Sequence, residues 1–151
     1  MSVYEQVLKT LAKAKTQGGK TGLNCIAELD PTAVEQAKEL DDCSKAEISD
    51  FWGTPVLVKD NIDVKGLHTT AGSLALDDNI AMEDAPIIRN LRKNGAVILG
   101  KTNMTEFANR TTTGMPGGYS SRGDQVIHAV DPRLSPSGSS SGSAVAVSAG
   151  I

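Results

Sequence analysis

The segment that most restricts the fold lies toward the C-terminal side, where nine residues drawn only from Ser, Gly and Pro (Ser135-Pro136-Ser137-Gly138-Ser139-Ser140-Ser141-Gly142-Ser143) run straight into Ala144-Val145-Ala146-Val147-Ser148-Ala149-Gly150. A Gly/Ser tract alone reads as a flexible linker. The run behind it argues otherwise. Small apolar residues with almost no polar face, if helical, make a helix that is buried and closely packed. A buried helix needs partners for its first amide groups, and the serines sit where those groups lie, so the turn is expected to be ordered. Such a helix start can hold an anion such as phosphate, but no Gly-Lys-Ser/Thr follows, which disfavours a P-loop.

The remainder of the chain alternates strand-like and helix-like patterns. Val3, Val7, Leu8, Leu11 and Ala12 fall at helical spacing, and Gly18-Gly19 closes that segment. Leu23 to Leu29 fits a strand, and Asp30-Pro31 opens a second helix with Ala33, Val34, Ala37 and Leu40 on one face. Thr54 to Val58 is a compact apolar run, Ile87, Ile88 and Leu91 mark a helix over Asp84 to Asn94, and Ala96 to Leu99 is a further buried strand after Asn94-Gly95. This order predicts a sheet covered by helices. After Phe107 the chain changes character: as far as Gly142 it is rich in Gly, Ser, Thr and Pro, and connections this long in a compact domain are usually functional or disordered.

Composition excludes several function classes. Fifteen basic and 18 acidic residues are interspersed to a net charge of −3, so no face offers the one-signed field that attracts nucleic acid or anionic membranes. No stretch is long enough to span a bilayer, and the first residues lack the basic and apolar regions of a secretion signal. Cys25 and Cys43 are too few and too far apart for a disulfide framework or a zinc site, and both are expected to serve as small apolar side chains in a reducing, cytoplasmic setting.

Pro55-Val56-Leu57-Val58-Lys59-Asp60 puts a lysine where an apolar strand ends. On spacing alone, Lys59 either pairs with Asp60 or another carboxylate, or extends its ammonium to solvent. A third possibility is chemical: burial at the end of a central strand lowers the pKa of a lysine, and only the neutral amine accepts a proton.

Three segments taken together resemble the amidase signature family: Gly53 to Asn61 with Thr69-Thr70-Ala71-Gly72-Ser73, then Gly100-Lys101-Thr102-Asn103-Met104-Thr105-Glu106-Phe107-Ala108, then the serine turn. They occur in order from about Gly53 to Gly150, which makes the match far more specific than any one of them. The resemblance implies an α/β fold, a mixed sheet covered by helices on both faces. It implies one incomplete domain over 1–151, with 1–50 as a helical N-terminal segment and 51–151 as the start of the signature core. Lys59 corresponds to the family's strand-terminal lysine and Ser139 to its relay serine, the residue that follows a cis peptide bond. Serines stand where the family usually has glycines at Ser137 and Ser141, a change the turn tolerates if neither position needs a positive φ.

The implied chemistry is amide hydrolysis without metal or cofactor. Neutral Lys59 takes a proton, through Ser139, from a nucleophilic serine that attacks a small-molecule amide, and water then releases the acyl-enzyme. The family's nucleophile and oxyanion donors lie in a Gly-Gly-Ser loop past the helix, and no residue up to Ile151 takes that role, so the chain is expected to be inactive alone and to self-associate or bind the missing C-terminal part. Ala108 and Thr113 are candidate acyl-pocket residues on a segment that could equally be an exposed loop. His68 and His128 fall in no motif and are expected to be turn or surface histidines. Two alternatives are the catalytic subunit of a tRNA-dependent glutamine amidotransferase, disfavoured by the unexpected Met115 to Gly123 stretch, and a non-catalytic remnant acting as an interaction module.

Overall fold

The computed structural model describes residues 1–43 and 49–151, so a short part of the expected helical 1–50 segment lies outside the described residues. Helix α1 (Val3–Gln17) starts on a capping box: Ser2 Oγ accepts from Glu5 N, and the Glu5 carboxylate accepts from Ser2 N. It ends at Gly18, where a Cβ would collide with Ile26 and the Ala14 carbonyl. Strand β1 (Ile26–Leu29) follows, then helix α2 (Ala33–Asp42). The Asp41 carboxylate accepts from the Val3 and Tyr4 amides at 2.9 Å each, and so satisfies two orphan donors of α1 and pins the helices together. Strand β2 (Pro55–Lys59), helix α3 (Pro86–Lys93) with proline at its start, and strand β3 (Val97–Thr102) complete the layered part.

The three strands form a mixed sheet in the order β1-β3-β2, with β1 antiparallel and β2 parallel to the central, wholly buried β3. Lys59 therefore ends an edge strand of the described sheet, so the condition of burial at the end of a central strand is not met there. Alternation along β3 sorts the core. Val97 and Leu99 pack with Val7, Leu11, Ala33 and Ala37 beneath α1 and α2, whereas Ile98 packs with Val58, Val64, Leu67 and Ile88 on the α3 side. Helices thus cover both faces.

At Gly100 this alternation slips. Its φ is 146°, a Cβ would collide with the Glu28 carbonyl oxygen, and the register of both ladders shifts by one residue nearby. The slip turns Lys101 to the α3 side and Thr102 to the other.

Helix α4 (Ser141–Ser148) packs Val145 and Ala146 against Cys25 and Val126, on the face shared with α1. Its opposite side is open, with Val147 77% exposed. The all-round burial expected of this helix is thus only half present. Cys25 is buried in that cluster and its thiol is pushed up to about 11 by desolvation, but Cys43 is exposed and is not the small core side chain expected of it. The Gly/Ser/Thr/Pro-rich stretch carries a short hairpin, β4 (Tyr119–Ser120) with β5 (Asp124–Gln125), and is otherwise irregular. Among the described residues, no helix is long and apolar enough to cross a membrane.

Candidate active site

The site forms where β2 and β3 end beside the start of α4. Gly142 lets the helix approach closely: a Cβ there would strike the backbone oxygens of Asn103 and Cys25. The Gly142 amide donates to the Asn103 carbonyl at 2.9 Å. This backbone group at the exit of β3 therefore takes a helix donor that the sequence pattern assigns to the serines; Ser140, the residue preceding α4, makes no capping bond with its side chain.

The serine turn is held from several sides. Ser135 Oγ accepts from the Ser137 amide at 3.1 Å, Ser141 Oγ donates to the Ser137 carbonyl at 2.6 Å, and the Thr105 amide donates to the Ser139 carbonyl at 3.1 Å. Thr105 Oγ1 also accepts from the Gly118 amide at 2.8 Å and lies where a side chain on Gly138 would have to go. The Gly138-Ser139 peptide bond is cis. Ser137 has a φ of 60°, so the condition under which a serine is tolerated there without strain is not met at this position. Ser141 is helical and buried, as a serine can be at no backbone cost.

Lys59 Nζ donates to Ser139 Oγ at 2.7 Å, joining residues 80 positions apart. The lysine is half-buried, and desolvation lowers its pKa below the ordinary lysine value. Neither Asp60 nor solvent alone accounts for it, since Asp60 turns to the opposite side of the sheet and pairs with Lys101. Beside the pair, Thr102 Oγ1 and Ser143 Oγ share a 2.7 Å hydrogen bond that ties β3 to α4.

The other candidates lie elsewhere. Ala108 is exposed on a 3-10 turn over Glu106–Asn109 with a φ of 54°, and Thr113 is exposed on the following loop. No hydrogen bond joins either to Lys59 or Ser139 among the described residues. His68 Nδ1 meets Glu28 at 3.0 Å, and His128 Nδ1 accepts from the Val130 and Asp131 amides at 3.2 Å. Both histidines are engaged away from the Lys59 amine.

Sequence reasoning misses Thr105, Asn103 and above all the Lys101–Asp60 pair as parts that hold this site. A signal exists for the last: a lysine inside the apolar run Val97-Ile98-Leu99-Gly100-Lys101 must find acceptors in the core.

A family profile described as Amidase matches residues 5–151. The chain belongs to the amidase family. It is 40% identical to a probable amidase of Arabidopsis thaliana over 134 residues, covering 85% of the chain and 26% of that protein. It is 36% identical to a glutamyl-tRNA(Gln) amidotransferase subunit of Exiguobacterium sibiricum, covering 99% of the chain and 30% of that protein. The crystal structure of the peptide amidase PAM with its competitive inhibitor chymostatin superposes with a TM-score of 0.92 at 37% identity, covering 99% of the chain and 31% of that structure. The amidase-family chain thus spans roughly a quarter to a third of these relatives, and its mixed sheet and helices follow the same fold.

Proposed function

We propose that this amidase-family chain supplies the base and the proton relay of an amide hydrolase, with Lys59 as the base and Ser139 as the relay. The observation that carries the reading is the 2.7 Å contact between Ser139 Oγ and a lysine that burial biases toward its neutral form. A hydroxyl is a weak nucleophile near neutral pH and needs a base within hydrogen-bond reach. In this reading a second serine, outside Met1–Ile151, attacks the carbonyl carbon of a small-molecule amide while its proton passes to Ser139 and the Ser139 proton passes to Lys59 Nζ. Lys59 returns a proton to the leaving amine through the same relay. Water then attacks the acyl-enzyme and gives up a proton to Lys59 along the same path, and Lys59 returns it through Ser139 to the departing serine oxygen as the acid is freed. The 106–113 segment, exposed from Ala108 onward and including Thr113, is assigned to the acyl side of the substrate, and the unpaired thiols fit a cytoplasmic setting.

The test is steady-state hydrolysis by the full-length protein over a panel of simple amides, with Lys59→Ala and Lys59→Met beside the parent. Both variants should lose about a thousandfold in kcat or more with unchanged circular dichroism. The parent rate should rise with pH through an apparent pKa below the ordinary lysine value, since the deprotonated amine is the active form. Parental turnover by a folded Lys59→Ala protein would end this reading. Similarity to the E. sibiricum protein over 99% of the chain favours a second reading, in which the same chemistry serves a tRNA-dependent amidotransferase. Glutamine hydrolysis stimulated by misacylated tRNA would select it over a free-standing amidase.

A further inference from the structure

The two lysines at the ends of β2 and β3 stand in opposite electrostatic settings. Lys101 is 0% exposed, and its Nζ faces the His68 carbonyl at 2.6 Å, Thr69 Oγ1 at 3.1 Å and Asp60 Oδ1 at 3.4 Å. Burial pulls the pKa of this lysine down, and the Asp60 carboxylate pushes it back up. Three acceptors around one nitrogen call for three hydrogens, which makes it an ammonium. Asp60 is 1% exposed and is surrounded by donors: Thr70 Oγ1, the Thr70 amide at 3.3 Å, the Gly72 amide at 3.4 Å, and Lys101. Both of its carboxylate oxygens therefore meet donors.

Asp60 is also the residue next to Lys59, and its backbone is fixed: its amide donates to the Thr102 carbonyl at 3.3 Å and its carbonyl accepts from Ala71 at 2.8 Å. A buried, unbalanced carboxylate so placed would draw a proton onto Lys59 and keep it there. The structure instead couples Asp60 to Lys101, and Lys59 keeps Ser139 as its hydrogen-bond partner.

We propose that Lys101 is a positioning residue that acts through Asp60: it holds and balances that carboxylate on the far side of the sheet and so leaves the Lys59 amine free to exchange its proton with Ser139. The inference rests on the reading of Lys59 as the base. The remaining charged groups around Lys101 are Asp63 and Glu28, and Glu28 is in turn paired with His68. From the α4 and serine-turn side, Ser139 and Ser143 bring no charge to Lys59.

The test titrates Lys59 directly, by nuclear magnetic resonance of the full-length protein labelled with carbon-13 at the lysine ε position, with the signal assigned by its loss in Lys59→Met. Lys101→Met should raise the Lys59 midpoint by about one pH unit, because the Asp60 carboxylate loses its ion-pair partner. Asp60→Asn should lower it, because the Lys101 charge is left unbalanced. The double variant should return close to the parent. Loosening of the structure would move both single variants in the same direction, so opposite shifts with recovery separate charge balance from a merely structural role. Any other pattern overturns the proposal, and if Lys101→Met fails to fold, Lys101→Gln takes its place, a Lys59 midpoint at or below the parent's then overturning it. Because the readout is the lysine itself, the result holds whether or not Lys59→Ala abolishes turnover.

Discussion

The α1/α2 layer and the α4 layer rest on the same face of the sheet, yet they are built differently. Val7, Ala33 and Ala37 in the first are 0% exposed, and its helix ends are satisfied from within by Ser2, Glu5 and Asp41. The second has its turn held by Thr105, Ser135 and Ser141, and carries an apolar flank that nothing among the described residues covers, as Val147 shows. The first layer closes a core. The second presents hydroxyl groups to an amine. Stability and chemistry should therefore be separable by substitution.

The sharpest break is Lys59→Ala, which should cost about a thousandfold in kcat while leaving the thermal midpoint nearly unmoved, because it deletes a proton acceptor and not a packing group. Its mirror image is Leu11→Ala in the first layer, which should cost about 2–3 kcal/mol in urea unfolding and leave the pH dependence of hydrolysis unchanged. A kinetic defect at Leu11, or a stability defect at Lys59, would dissolve the contrast.

Smaller effects refine the second layer. Ser137→Gly should stabilise by up to about 1 kcal/mol, since the position is left-handed with a φ of 60° and glycine adopts that conformation without a Cβ penalty. Val147→Asp should change the stability of the 1–151 chain by no more than about 0.5 kcal/mol in chemical denaturation, because the side chain meets water. The same substitution in the full-length protein should cost well over that if this flank is covered there, and would then map the cover.

What can be read from the sequence depends on whether a signal is local. Helix α1, helix α3 and strand β3 follow from apolar spacing with Gly or Pro at their ends, and all three lie close to where that spacing puts them. The family resemblance also anticipates the approach of Lys59 to Ser139 and the cis bond before it. What stays hidden is set by contacts between distant residues. A run of small apolar residues cannot say how many sides its neighbours occupy, so the exposure of Val147 is not readable. Strand order is likewise invisible to periodicity, and an apolar edge strand such as β2 looks central. The partner of Lys101 comes from a loop more than 30 residues earlier that folds back beneath β3, and the left-handed backbone at Ser137 is a response to its surroundings rather than to its own side chain.

One contact reaches further along the chain than the rest. Lys13 in α1 donates to the carbonyls of Ala149 and Gly150, at 2.6 and 3.0 Å, across 136 and 137 positions of chain. A cation at the C-terminal end of a helix satisfies its last carbonyls and meets its dipole. During synthesis at roughly 5–20 residues per second, this ammonium must wait several seconds, or longer, for the residues it will bind. Closure of so long a loop is entropically costly until packing rewards it. Docking of α4 onto α1 is therefore a late event of folding, and the order of assembly runs from the layer that makes the core to the layer that carries the hydroxyls.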